Sequence, residues 1–189
     1  QGIVVEKTTD FTILFLFSIG ITKGKWGTLV NALLDFKRDY DDNVELELCL
    51  PDLLAGNQTR YAGMGLKDLA DEIFAAMKQH KTTSAMSQAF GTLPQAVFSP
   101  VEAYEKLVRN EIELVTLEQA AGRIAATGIV PYPPGIPLLM PGENAGAADG
   151  PLLAYLKALE AFDKSFPGFT HDTHGIEAEA GVYRMLVLK

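Results

Sequence analysis

The chain has 189 residues, 48% hydrophobic and 21% charged, which suits one domain with a sizeable core and room for a fragment of another. Its 16 basic and 24 acidic residues give a net charge of −8 with no basic cluster anywhere, so nucleic acid is excluded as a partner class. A single cysteine, Cys49, leaves no internal disulfide framework and suits a reducing cytoplasm. The longest apolar stretch, Phe11 to Ile21, falls well short of the ~20 residues that span a bilayer.

Ile3 to Val5 and Phe11 to Ile19 read as strands, aromatic and β-branched, with a turn at Thr8-Thr9-Asp10. Both alternating sets of the second are apolar, so it calls for cover on two faces, as inside an α/β sheet. The neighbouring sequence supplies few strands to pair with it, and part of its home sheet is expected to be missing. Glu6 and Asp10 stand where a signal peptide would be positive, and no small-residue cleavage site follows. The chain begins at Gln1 without an initiator methionine, which we take as the mark of a piece of a longer protein.

Thr22 is placed to cap a helix from about Lys23 to Tyr40, with Trp26, Leu29, Val30, Leu33, Leu34 and Tyr40 in a stripe near the 3.6 period. Asp41-Asp42-Asn43 ends it. Leu46, Leu48 and Leu50 alternate before Pro51, as a short strand or a covered loop would. Leu66, Leu69, Ile73 and Met77 define a second helix ending near Lys81, and Ala85 to Phe90 a short third. Ser99-Pro100-Val101-Glu102 is a capping box with proline at the first helical position, opening a helix to about Arg109. Ile112 to Val115 reads as a strand, and Thr116 with Gln119 as the cap of a short helix ending near Gly122. Gly142 to Gly150 is a loop. Pro151 to Phe166 is a helix with Leu152, Leu156, Leu159 and Phe162 inward. A hairpin, Ile176 to Glu179 and Val182 to Leu188, turns at Ala180-Gly181. Helices and strands mix without a strict βαβ rhythm, which places the fold between α/β and α+β.

Several short motifs carry possible chemistry. Gly20 to Lys25 follows a strand and precedes a helix, where a phosphate loop belongs. It has three residues between its glycines instead of four, and Trp26 where Ser or Thr is required. His171-Asp172-Thr173-His174-Gly175 offers two histidines and a carboxylate but no closed ligand set, so no metal is expected; Asp and Gly also make a turn unaided. Gln79-His80-Lys81 ends an amphipathic helix and reads as a solvated face. Glu6, at the end of an apolar strand, is either plain surface or the anionic end of a pocket for a cation. No Ser-His-Asp or Cys-His set assembles. The run PYPPGIPLLMPGE, Pro131 to Glu143, holds five of the ten prolines and fills the gaps with Ile136, Leu138, Leu139 and Met140. It is too stiff for a helix and too apolar for a solvated linker.

VVEKT, LFLFSIGITKGK, LLDFKRDYD, LPDL, GRIAA, PYPPGIPLLMPGE, FPGF and DTHG occur in that order along the chain. This ordered set resembles the C-terminal part of the bacterial ornithine/lysine/arginine decarboxylases, and PYPPGIPLLMPGE is its most specific piece. The resemblance implies a pyridoxal-phosphate enzyme of the aspartate-aminotransferase type that removes the α-carboxylate of a basic amino acid, releasing a polyamine and CO₂. It implies assembly from dimers, up to decamers, in the cytoplasm. It also implies that residues 1–43 finish the small subdomain of the catalytic fold and residues 44–189 form a mixed α+β C-terminal domain. The family's Ser-x-His-Lys segment, which carries the Schiff-base lysine, has no counterpart here; Gln79-His80-Lys81 lacks the serine and lies elsewhere. No catalytic or cofactor-binding residue is therefore expected in this chain, and the chain alone is expected to be inactive. The resemblance places the VVEKT glutamate, Glu6, near the bound substrate, and the proline run near the active-site entrance as a rigid docking wall. A proline-rich strap over this domain's own core is an equal reading of that run. The alternative for the whole chain is a free-standing, non-catalytic assembly or binding module.

Overall fold

The aromatic and β-branched residues at the start of the chain form far less strand than their types allow. In the computed structural model, which describes residues 3–9, 11–22, 24–132 and 134–189, the chain divides into two units. One ends at Ala76 and the other runs from Met77 to Lys189. The fold is mixed, with helices and small antiparallel sheets.

In the first unit, only β1 (Lys7–Thr8) and β2 (Ile13–Leu14) pair, in register Lys7 to Leu14 and Thr8 to Ile13. The expected strand Ile3–Val5 is unpaired, and Phe11–Ile19 is paired only at Ile13–Leu14. The cover that the latter needs is missing among the described residues: Phe11 is 71% exposed and Leu16 72%. Asp10 and Lys23, which enter the turn and helix readings above, lie outside the described residues. Helix α1 (Lys25–Asp41) starts two residues later than expected. Gly24, at φ 104°, occupies its N-cap without any side-chain cap, and Thr22 contributes only its carbonyl, to Lys25 N at 3.2 Å. None of α1's residues is buried, so its apolar stripe is real but uncovered.

Leu46, Leu48 and Leu50 alternate in sequence yet do not form a strand. They belong to a helical turn, α2 (Leu46–Cys49), and to its exit; Leu and Glu are good helix formers and only Leu46 is fully buried. Helix α3 (Pro51–Tyr61), which the sequence reading omits, opens with proline at its first turn and kinks at Asn57. Helix α4 (Leu66–His80) matches expectation, with Leu66 and Leu69 buried. The core of this unit is small, comprising Leu46, Leu54, Tyr61, Leu66 and Leu69. Its α4 end is fixed by Asn43, which adopts φ 49°. The Asn43 Oδ1 accepts from Lys67 N at 2.9 Å, and its amide donates to Asp68 Oδ2 at 2.9 Å, which also accepts from Gly65 N.

The second unit opens with α5 (Thr82–Phe90), then α6 (Pro100–Val108). The capping box of α6 is complete: Ser99 Oγ accepts from Glu102 N at 3.3 Å and the Glu102 carboxylate accepts from Ser99 N at 2.7 Å. Strand β3 (Ile112–Thr116) follows. Thr116 and Gln119 exchange the expected cap bonds, but a turn forms there instead of a helix, because Gly122 at φ 72° redirects the chain at once. Strand β4 (Val130–Tyr132), helix α7 (Pro151–Ser165), β5 (Asp172–His174), β6 (Ile176–Glu179) and β7 (Val182–Leu188) complete the unit. Strand β7 is central in an antiparallel sheet of order β3-β7-β6, and β4 pairs with β5 separately. Tyr183, Met185 and Val187 alternate inward from β7 and join Leu152, Leu153, Leu156 and Leu159 of α7, together with Leu138 and Leu139 of the proline run, in one core.

Gly65 tests the α4 junction. A Cβ there would stand 2.1 Å from Asn43 Oδ1, an atom held by its own hydrogen bonds. Gly65→Ala is expected to lower stability by about 1–3 kcal/mol in urea unfolding. An unchanged midpoint would mean that Asn43 swings away freely.

Candidate functional site

Glu6 sits where the chain enters β1, and its N–H donates to Leu14 O at 3.0 Å, which fixes the backbone at that point. Across the turn, Thr9 and Thr12 bond through their hydroxyls at 2.6 Å and Thr9 N donates to Thr12 O at 2.9 Å. The Glu6 side chain is exposed and its carboxylate makes no hydrogen bond or ion pair with the described residues. A negative charge held on a fixed backbone and left without an internal partner can serve a cationic ligand. Close in sequence, a cavity of about 350 Å³ is lined by apolar residues, among them Ile3, Phe15, Phe17 and Leu29, with Lys25 also in its lining. Among the described residues no carboxylate lines it. Pyridoxal phosphate needs an acidic or basic partner on its pyridine nitrogen beside the Schiff-base lysine. Lys81, the other lysine singled out above, lies exposed at φ 51° between α4 and α5. Among the described residues neither Lys25 nor Lys81 has such a partner beside it.

The five residues from His171 to Gly175 have a different role from the metal site that their types suggest. No group of His, Cys, Asp or Glu among the described residues is arranged to hold a metal. His171 instead turns toward α7: its backbone N–H and ring Nδ1 both bond the Asp163 carboxylate, at 3.1 and 2.6 Å. Asp163 is only 6% exposed and receives a third bond from the Tyr183 hydroxyl. Glu160 accepts from Tyr183 N at 2.6 Å. Burial, and then the Asp163 carboxylate, push the Tyr183 phenol far above its ordinary value. Thr173 Oγ1 opposes that shift without closing a hydrogen bond of good geometry, and remains a buried unsatisfied hydroxyl. His174 is exposed, 3.6 Å from Asp172. Gly175, at φ 81°, is required twice over: a Cβ would also stand 2.1 Å from the Gly128 carbonyl oxygen. The sequence reading missed Asp163, although a carboxylate on the apolar stripe of α7, four residues after Leu159, is a recognisable warning.

The proline run is a short edge strand followed by a turn. Pro131 is buried and pairs with Thr173, Gly135 N returns to Pro131 O at 2.8 Å, and Ile129 bridges Leu139 to close the excursion at its base. Leu138 and Leu139 enter the core; Tyr132, Ile136 and Met140 stay exposed. Pro133 lies outside the described residues.

A family model described as Orn/Lys/Arg decarboxylase, C-terminal domain, matches residues 83–189. The chain belongs to this family. It is 47% identical over 189 residues to the biodegradative arginine decarboxylase of Escherichia coli K12, covering all of this chain and 25% of that protein. It is 48% identical over 181 residues to the lysine decarboxylase LdcA of Pseudomonas aeruginosa, covering 96% and 24%. The solved structure of the E. coli constitutive lysine decarboxylase superposes with a TM-score of 0.92 at 43% identity, over all of this chain and 27% of that one. The chain thus spans about a quarter of the length of these decarboxylases, and the family model falls on the unit that holds the Asp163 cluster and the proline run. Among the described residues no helix is long and apolar enough to cross a membrane.

The raised phenol gives a signed pH dependence. The folded state keeps the Tyr183 proton that the unfolded state releases near pH 10, so this contribution to stability is whole below pH 10 and declines above it, by at most about 1.4 kcal/mol per pH unit. The wild-type urea midpoint should fall between pH 10 and 11.5 more steeply than that of Tyr183→Phe. Parallel profiles would show the phenol to be freely ionisable in the fold.

Proposed function

We propose that this chain is the C-terminal portion of a pyridoxal-phosphate-dependent decarboxylase acting on lysine, arginine or ornithine and yielding a polyamine and CO₂. The observation that carries this reading is the alignment of the entire chain with arginine and lysine decarboxylases at 44–47% identity. The cofactor and its lysine would lie in the part of such an enzyme outside these 189 residues, in the cytoplasm. When bound, the cofactor supplies the electron sink that accepts the charge left by departing CO₂.

Within that reading, residues 1–43 would finish the small subdomain of the catalytic fold. The uncovered apolar side chains of residues 11–19 and of α1 support this, since exposed apolar surface on such a scale calls for a protein partner. Glu6 would recognise the distal cation common to the three substrates. The proline run would form a wall at the active-site entrance, because a segment already stiff loses little entropy on docking. Oligomerisation through dimers would bury further surface. A second reading, a non-catalytic module that folds by itself, is favoured by the self-contained core of unit 2.

Two experiments test these proposals. The 189-residue chain by itself should fix no pyridoxal phosphate on borohydride reduction and release no CO₂ from any of the three amino acids, whereas a chain extended to the length of its relatives should do both. Activity of the 189 residues alone, or inactivity of the extended enzyme, would overturn the reading. In the extended enzyme, Glu6→Gln should lower kcat/KM by about 30-fold, the equivalent of roughly 2 kcal/mol for one lost partner of a desolvated charge pair. Cofactor uptake should be unchanged. Near-wild-type kcat/KM would make Glu6 a surface carboxylate.

A further inference from the structure

The β4–β5 ribbon has little of its own to hold it. Two strands of three residues each pair only with one another, and an isolated two-stranded ribbon is marginal in water. Pro131 adds no bond to the ladder, since its carbonyl accepts from Gly135 and it has no N–H. Of the three β5 residues, Asp172 and His174 are exposed, and the single buried one, Thr173, carries an unsatisfied hydroxyl. Hydrophobic anchoring of β5 is therefore slight.

Asp163 compensates for this from the neighbouring helix. One of its oxygens bonds the His171 ring and the other the Tyr183 hydroxyl, and the His171 N–H, immediately before β5, lies 3.1 Å from each. The His171 ring also packs edge-on against Phe162, centroids 5.2 Å apart. The same carboxylate thus holds the root of β5 with one hand and the core strand β7 with the other. Across the ladder, β5 holds β4, whose Pro131 and Tyr132 are the first two residues of the proline run. At the far end of β5, the close approach of Gly175 to Gly128 seats the other side of the loop.

We propose that Asp163 is the latch of a separately opening unit made of residues 130–132 and 171–175, and that it positions the first two residues of the proline run, Pro131 and Tyr132, against the core. His171 is the arm of that latch toward the ribbon, and Tyr183 its arm toward the core. Opening breaks the His171 bonds and the β4–β5 ladder together, while the packing of α7 on β7 persists. The proposal concerns this chain's own residues and does not depend on the reaction catalysed.

Hydrogen–deuterium exchange on the 189-residue chain, read by mass spectrometry, separates the two regions. His171→Ala removes the ring bond and the edge-on packing on Phe162 and leaves Tyr183 on Asp163. It should speed exchange in peptides covering 130–132 and 171–175 by about tenfold or more, the loss of one hydrogen bond to a charged group. Peptides from 152–162 and 182–188 should keep their protection. Asp163→Asn should act in the same direction and more strongly. Tyr183→Phe, which cuts the other arm, should raise exchange in 182–188 as well. If Asp163→Asn fails to fold, His171→Ala decides alone. A rise spread evenly over all peptides, or no change in the ribbon, would overturn the proposal and leave Asp163 as ordinary core polarity.

Discussion

The second unit depends on the packing of β7 against α7. Tyr183, Met185 and Val187 face inward at a period of two, and Leu152, Leu153, Leu156 and Leu159 face them from a helix. Each such side chain contributes roughly 1.5–3 kcal/mol on burial. Among the described residues strand β7 is also the only one with neighbours on both sides, so β3 and β6 are placed by it. One consequence is polar. Tyrosine at position 183 brings a hydroxyl into the core, and a buried hydroxyl without a partner is costly. Asp163 answers it, and a buried carboxylate in turn needs donors, which His171 supplies. A choice made for packing therefore propagates through two obligatory hydrogen-bond demands to the ribbon that carries the proline run.

What could be read from the sequence follows from how local each signal is. The capping box at Ser99 and Glu102, the hairpin at Ala180-Gly181 and the stripe on α7 are all set by residues within a few positions of one another, and each forms as expected. The failures depend on contacts that local pattern does not encode. Leu46, Leu48 and Leu50 alternate like a strand, but no strand lies alongside, and a helical turn satisfies their backbone groups locally. Thr116 and Gln119 make the bonds of a helix start, and Gly122 then stops the helix before it has begun. Glu6 was legible as a site candidate because an isolated carboxylate after an apolar strand stands out. Asp163 was not, because its partners lie 8 and 20 residues away and neither spacing is a motif.

HDTHG shows why residue types alone are a weak guide to chemistry. Two histidines and an aspartate within four positions suggest a metal. In the fold they serve three unrelated ends: His171 faces a buried carboxylate, Asp172 and His174 face solvent, and Gly175 is needed for its missing Cβ. Alternation along β5 explains the division: Asp172 and His174, two apart, share the exposed face, while Thr173 between them points inward. In this chain the five residues meet a steric and a polar requirement at the same corner.

The first unit obeys the opposite logic. One of its local signals holds: α1 carries its stripe at helical spacing. Yet the unit's surface remains open, with Phe11, Leu16, Trp26, Leu34 and Phe36 exposed. A helix that is amphipathic but buries no residue has its face prepared for something outside its own unit. The apolar character of the Phe11–Ile19 segment on both faces points the same way from strand geometry alone. These two inferences rest on different periodicities, 3.6 and 2, in different elements, and neither uses any relative. Together they make the open surface a property of the design of this segment, and the alignment with proteins four times as long supplies the kind of neighbour that such a surface requires.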